Sequence, residues 1–563
     1  MTQPLRVAGV DFGSDSVRVG IWDLSVPACL LVVSRAYRRW AAGAYCAPES
    51  QRFRQHPRDY LEALEDAFAE VAARLGPGAV AALAIDTTGS TPAPTDARGV
   101  PLALLPEHAE DPDAMFWLWK DHVAADAAGR INEVLGAHDP DFTTYQGLYS
   151  SEWWWAKILH GVTHSETIRR HAVSWVEHSD WLANLLVGAD DVRHFARNSC
   201  AAGHKALVNR RLGGMIPSPI LTELHSHLAA VAETFQLPPV PAGTPLGTLT
   251  ADWARRLQLS EQTVVGAGSL DAHAGAVGAG IAPGTLVKVV GTSTVDMFLT
   301  DYDAVDGHDI RTRCGVAEDS IVPGRLGGEA GQAAFGDLLA WYAGLLAWPW
   351  ETVLREELAD ALPADRIEPL LARLRQKLLP ELNRATRDRP PAGIVALDWI
   401  NGRRYPHVDD RASAALLNLR IGHDAVDLYR SLVQSAVLGS KAIFEGIREV
   451  AQVDRVILVG GVARKSPLIC QALADGLGTE VMVSKVDEIS AAGAAGYAAV
   501  AVGAYSSIPA AQQALCAPYK PDFWPSASGR AEYSAAFRAY QQAATSTGQS
   551  LVPGQLRGGS AHG

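Results

Sequence analysis

The chain has 563 residues, 48% of them hydrophobic and 20% charged, which excludes a one-core module, since single cores stop growing near ~250–300 residues, and excludes a globally disordered chain. Lys+Arg 49 against Asp+Glu 62 leaves a formal net charge of −13, and with no local basic patch an acidic surface repels phosphate backbones, so nucleic acid is not an expected partner. The six cysteines contain no C-x-x-C pair, which points away from a disulfide framework or a thiolate zinc site and toward a reducing compartment.

The first residues run straight into a strand-like segment without the zones of a signal peptide, so a cytoplasmic protein is expected. Residues 7–23 read as an apolar strand, a Gly/Ser turn and a second strand of β-branched residues, a hairpin with a polar tip. Residues 59–75 have helical apolar spacing and stop at Gly76-Pro77, and a strand over 80–85 follows, ending in Asp86-Thr87-Thr88-Gly89. This alternation favours an α/β architecture. The composition turns loop-like around 238–245, a domain boundary. A strand over 264–268 then leads into a helix over 271–281. Residues 285–299 repeat the opening layout, strand, hydroxyl-rich turn, strand, which predicts an internally duplicated chain. A helix over 427–450, a strand over 456–459, the turn Gly460-Gly461 and a helix over 468–477 follow. The apolar run 491–502 is too short for the roughly 20 residues of a bilayer span, so no membrane partner is expected, and residues 545–563, rich in Gly and Ser, are expected to fray.

Three turns suit a nucleotide. Gly13, Ser14, Asp15 and Ser16 offer backbone N–H groups and hydroxyls without bulky side chains, which fits phosphate oxygens. Taken alone they read as an ordinary hairpin turn. Gly291, Thr292, Ser293 and Thr294 repeat the equipment, and a duplicated fold would bring both tips to one polyphosphate. Gly460 and Gly461, with Arg464 behind them, let a planar base approach the backbone, although a plain βα turn looks the same. Asp11, where the first strand meets its turn, could orient hydrated Mg²⁺ or merely cap the turn. No G-x-x-x-x-G-K-[ST] occurs, and Asp11-Phe12-Gly13 lies too near the start to be a protein-kinase metal triplet. Asp271, between a strand and an Ala/Gly-rich helix, is a helix cap or a carboxylate able to take a hydroxyl proton during phosphoryl transfer. Lys205 reads by default as a solvated lysine, with donation to substrate oxygens as the alternative. Glu329, flanked by glycines, caps a turn or accepts sugar hydroxyls. Trp117, Trp119 and Trp153 to Trp155 favour core packing over a sugar platform.

The segments 9–18, Asp86 to Pro94, Leu118-Trp119-Lys120-Asp121-His122, Ser150 to Trp153 with Lys157, Ala202 to Lys205, Val290 to Thr294, Glu329 to Gln332, Leu397 to Arg404 and Gly460 to Pro467 together resemble the FGGY carbohydrate kinases, most closely their L-ribulose branch, across about residues 5–520. The resemblance implies two actin-like ATPase (ribonuclease H-like) α/β domains flanking a central cleft, residues 1–263 and 264–520, with a partly flexible extension over 521–563. It also implies ATP with Mg²⁺, the latter met by Asp11 through water, and a sugar contacted by the Ala93 backbone, Lys205, Asp271 and Glu329. Asp271 would be the base. The three glycine turns would hold ATP, and the product would be L-ribulose 5-phosphate. Val295 and Ala333 depart from the family pattern, where cysteine and serine are expected. A sibling kinase for D-ribulose, ribitol or xylulose, or an actin- or chaperone-like nucleotide-switched binding protein, are the competing readings, and a homodimer is left open.

Overall fold

The structure, a computed structural model, describes residues 5–547 except 27, 139–141, 309, 311–314, 388, 407, 410, 517 and 518. The part of the expected frayed tail beyond 547 lies outside the described residues. The chain forms two compact units assembled from interleaved segments: residues 1–283, 297–328 and 486–518 in the first, and 284–296, 329–485 and 519–563 in the second.

The first unit is built on a six-stranded sheet in the order Pro245–Thr248, Val264–Leu270, Ala82–Thr87, Arg6–Phe12, Ser16–Asp23, Ala28–Ala36. Arg6–Phe12 and Ser16–Asp23 are the expected hairpin, paired from Arg6↔Asp23 to Phe12↔Val17. The central strands Val264–Leu270, Ala82–Thr87 and Arg6–Phe12 run parallel and are buried almost throughout, as strands covered on both faces must be. One face carries the helix Pro57–Leu75, whose Tyr60, Leu64, Phe68 and Val71 share a core with Val10, Phe12, Val17 and Val19. On the other lies Ile489–Ala501, an Ala/Gly helix that approaches so closely that a Cβ on Gly9 would run into the Ala491 carbonyl. Residues 264–283, assigned to the second domain by the sequence reading, belong to this unit, because Val264–Leu270 completes its sheet beside Ala82–Thr87.

In the second unit Gly284–Val290 runs parallel to Val453–Val459, which runs parallel to Glu480–Val483. The expected helices span Ala425–Ile447 and Pro467–Leu477. A helix the sequence reading leaves unassigned, Ala527–Ser546, packs on both of them and on the short strand Val395–Leu397. Its buried Tyr533, Phe537, Tyr540 and Ala544 recur every three or four residues, the helical apolar stripe that a polar, alanine-rich composition obscures.

Candidate functional site

Three neighbouring parallel strands of the first unit each deliver an aspartate at the C-terminal edge of the sheet, where open α/β sheets place their ligands. Asp11 on Arg6–Phe12 stands beside Asp86 on Ala82–Thr87 in register, and Asp271 follows directly on Val264–Leu270. Gly268 makes this edge possible. The register of its strand shifts between Gly266 and Ser269, and a Cβ at 268 would run into the Ile85 carbonyl. Asp271 then opens the helix Asp271–Gly278, which packs tightly on Ile489–Ala501: a Cβ on Gly278 would run into the Ile489 carbonyl, and one on Gly493 into the Ala274 carbonyl. Half-buried, Asp271 accepts the Ala272 N–H on Oδ1 at 2.7 Å.

The other two carboxyls are sunk deeper. Asp86 is fully buried and no donor reaches either of its oxygens. Burial first, then the negative charges of Asp11 and Asp271, hold its pKa well above the usual carboxylate range. Asp11 is also raised by burial, against the pull of Arg18, which donates to Asp11 Oδ2 at 3.1 Å and pairs with Glu488 at 3.3 Å. A set of hard carboxylate oxygens, two of them undonated in the interior, fits Mg²⁺ and suits neither a soft nor an imidazole-seeking metal.

At the adjoining hairpin tip the main-chain acceptors are already engaged. Thr88 N–H donates to the Phe12 carbonyl, Gln55 Nε2 to that of Ser14, Tyr37 N–H to that of Asp15 and Gly13 N–H to that of Ser16. The Ser14 hydroxyl accepts from Trp119 Nε1 at 2.9 Å and the Asp15 carboxylate from Trp40 Nε1 at 2.6 Å. With the Ser14, Asp15 and Ser16 carbonyls turned to protein donors, this turn offers a ligand its remaining amides and its hydroxyls, the equipment for an anion.

Ala93 sits in the strand Pro92–Thr95, paired antiparallel with Ser174–Glu177 and wholly buried. The approach to it is braced from below. Glu177 accepts from the Ser90 hydroxyl and, at 2.8 Å, from the Thr91 N–H, while Lys157 Nζ, fully buried, donates to the carbonyls of Ser90, Trp117 and Leu118 at 2.7, 3.1 and 2.9 Å. Burial draws the Lys157 pKa down to about 7 against the pull of Glu177. Lys205 is buried rather than solvated, at 5% exposure, with its Nζ 5.2 Å from the Trp153 ring centroid. Trp117, Trp154 and Trp155 are core residues, as their size suggests, whereas Trp119 and Trp153 are half-buried. Asp121 of the Trp-Lys-Asp-His run is structural: buried, it accepts from Arg54 and from the Phe53 N–H.

The remaining expected residues lie in the second unit. The turn Gly291 to Thr294 is held by the start of the helix Gly336–Trp348: Phe335 N–H donates to Thr292 O at 2.7 Å and Gly336 N–H to Gly291 O at 3.0 Å. Its carbonyls too are engaged by the protein. Gly460, at φ 107°, passes the Val290 carbonyl so closely that a Cβ would run into it, and Gly461 and Arg464 stand exposed on the short helix Gly461–Lys465. Glu329 is half-buried near the end of Leu326–Ala330. Sequence reasoning overlooked Asp86 as a site residue, although its Asp-Thr-Thr-Gly strand end echoes Asp11-Phe-Gly-Ser. It gives no role to Glu177, nor to Arg18 and Lys157 although both stand in segments that carry the resemblance, because their roles depend on contacts 87, 7 and 67 residues away.

Comparison with known proteins places the chain and its fold. The FGGY family of carbohydrate kinases, C-terminal domain, matches residues 286–502. A ribulokinase of Vibrio parahaemolyticus is 38% identical over 93% of both chains, and a ribulokinase of Mycolicibacterium smegmatis is 32% identical over 95% of this chain and 93% of its own. Among solved structures, a xylulose kinase from Rhodospirillum rubrum superposes with a TM-score of 0.78 at 18% identity over 96% of this chain and 99% of its own. A Plasmodium falciparum glycerol kinase with ADP reaches 0.72 at 13% identity over 96% and 98%. At those identities the structures speak for a shared fold, the actin-like α/β fold of sugar kinases.

Proposed function

The chain belongs to the FGGY family of carbohydrate kinases, and from that premise we propose that it transfers the γ-phosphoryl group of ATP to the terminal 5-hydroxyl of L-ribulose, giving L-ribulose 5-phosphate and ADP, a step of L-arabinose catabolism. The observation that carries the chemistry is the half-exposed Asp271 carboxylate beside the buried Asp11 and Asp86 at one sheet edge. Asp271 orients the sugar hydroxyl and accepts its proton as the oxygen bonds to the γ-phosphorus. The bond from that phosphorus to the bridging oxygen breaks, and its electron pair leaves with ADP.

The hydroxyls of Gly13 to Ser16 and of Gly291 to Thr294, with those amides of the two turns that are not given to protein carbonyls, bind the phosphates, and Gly460, Gly461 and Arg464 receive the adenosine. Mg²⁺ held by Asp11, with Asp86 behind it, would neutralise charge on the transferring phosphates. Ala93 through its backbone, Lys205 and Glu329 hold the sugar. In this reading the enzyme works in the cytoplasm, where ATP is at hand and its cysteines stay reduced.

The test is a coupled ADP assay over L-ribulose, D-ribulose, xylulose and ribitol, with Asp271→Asn alongside. L-ribulose should rank first by kcat/KM. The Asn variant should lose about 10²–10⁴-fold in kcat while still binding ATP. A different sugar at the head of the ranking would hand the reaction to a sibling specificity, and an Asn variant with near wild-type turnover would remove Asp271 from the chemistry.

A further inference from the structure

The helix Ala527–Ser546 lies beyond the stretch matched by the family's C-terminal domain, yet one of its side chains ends in the polar interior behind the second glycine turn. Tyr540 is 1% exposed, and its hydroxyl donates to Asp398 Oδ1 at 2.6 Å. The other oxygen of Asp398 accepts from Gln332 Nε2 at 2.9 Å. Gln332 Nε2 directs its second hydrogen to the Ala436 carbonyl at 2.9 Å, and Gln332 Oε1 accepts from the Ser440 hydroxyl, so both ends of the amide are fixed. The backbone of Gln332 then clasps Thr294: its N–H donates to Thr294 Oγ1 at 3.0 Å, and the Thr294 N–H donates to its carbonyl at 3.2 Å.

The packing is built for this chain of contacts. Gly439 faces the junction of Asp398 and Gln332, where a Cβ would run into both side chains. Burial pushes the Asp398 carboxyl up to about 6, and the Tyr540 and Gln332 hydrogen bonds oppose that push. Removing either donor would leave a buried acceptor short of a partner, the costly case for a polar network.

We propose that Tyr540 is a positioning residue for the nucleotide, acting through Asp398 and Gln332 to hold Thr294 and with it the Gly291 to Thr294 turn. This rests on the reading of that turn as an ATP-phosphate loop.

The experiment measures KM for ATP and for L-ribulose, binding of a non-hydrolysable ATP analogue, and thermal unfolding, for wild type, Tyr540→Phe and the loop variant Thr292→Val. The Phe variant keeps the ring and removes one hydroxyl. It should raise KM for ATP and weaken the analogue by about 3- to 15-fold, the effect of one lost buried hydrogen bond, with KM for the sugar within about twofold. An unchanged ATP KM, or both KM values rising together in step with a lower Tm, would overturn the positioning role and leave Tyr540 a packing residue. If Thr292→Val weakens the analogue and Tyr540→Phe does not, the relay fails and the phosphate-loop reading stands. If neither weakens it, the loop reading fails as well. Should Tyr540→Phe not be recovered folded, Asp398→Ala serves in its place: it removes both acceptors, the one facing Tyr540 and the one facing Gln332 Nε2, and the same selective loss of ATP affinity is expected, with its absence overturning the proposal.

Discussion

Asp86 shows at a single residue how a site can be costly to the fold that holds it. Its carboxyl is fully buried, receives no donor, and is raised well above the usual range by burial and by its two acidic neighbours. A raised native pKa means that the folded state keeps a proton the unfolded chain releases near pH ~4, so this contribution is complete below that pH and is lost as pH rises through the folded-state pKa. Asp86→Asn should therefore raise the Tm of the ligand-free protein at neutral pH and flatten the decline of stability as pH rises above the usual carboxylate range, while lowering kcat by about 10-fold or more. Urea unfolding at several pH values with the coupled assay would check both, and a less stable Asn variant would contradict the account. Asp11 and Asp271 were visible in the sequence because each stands at a strand-to-turn junction. Asp86 stands at one too, but its meaning comes from Cα register with Asp11, which no local window contains.

Among the elements, two fine contacts decide where the site residues stand. The helix of Asp271 and the helix Ile489–Ala501 touch backbone to backbone through Gly278 and Gly493. Gly493→Ala would force them apart, with an expected cost of about 3 kcal/mol by urea unfolding and a fall in kcat greater than in ATP affinity. The strand that presents Ala93 depends on Lys157, whose three hydrogens all go to carbonyls. Lys157→Met keeps the length but leaves those acceptors and Glu177 without their cation, and should destabilise the fold by about 3–5 kcal/mol. A variant within 1 kcal/mol of wild type would argue against that role. The elements themselves were largely legible: the opening hairpin, the helix Pro57–Leu75 and the strand-turn-helix around Gly460 announce themselves by periodicity and punctuation. The C-terminal helix did not, since its stripe of Tyr and Phe is diluted by alanine, and the buried state of Lys205 was hidden because nothing in its neighbours marks a lysine as interior.

For the molecule as a whole, each compact unit carries its own part of the proposed equipment. Hydrogen exchange should separate them: an ATP analogue should slow exchange at 284–296 and 460–466 in the second unit and at the 13–16 turn in the first, and L-ribulose should slow it at 89–95 and 199–205. Protection by the sugar confined to the second unit would contradict the residue assignments. The chain reaches this division by passing from one unit to the other five times, a pattern that compositional boundaries cannot reveal, since the loop near 238–245 looks like a border and is not one. The interleaving also bears on synthesis. The helix Ile489–Ala501, which covers the strands of Asp11 and Asp86, starts 477 residues after the end of the first and 402 after the end of the second, so both strands leave the ribosome long before the helix that seals their sheet, with an apolar face open to chaperones until then.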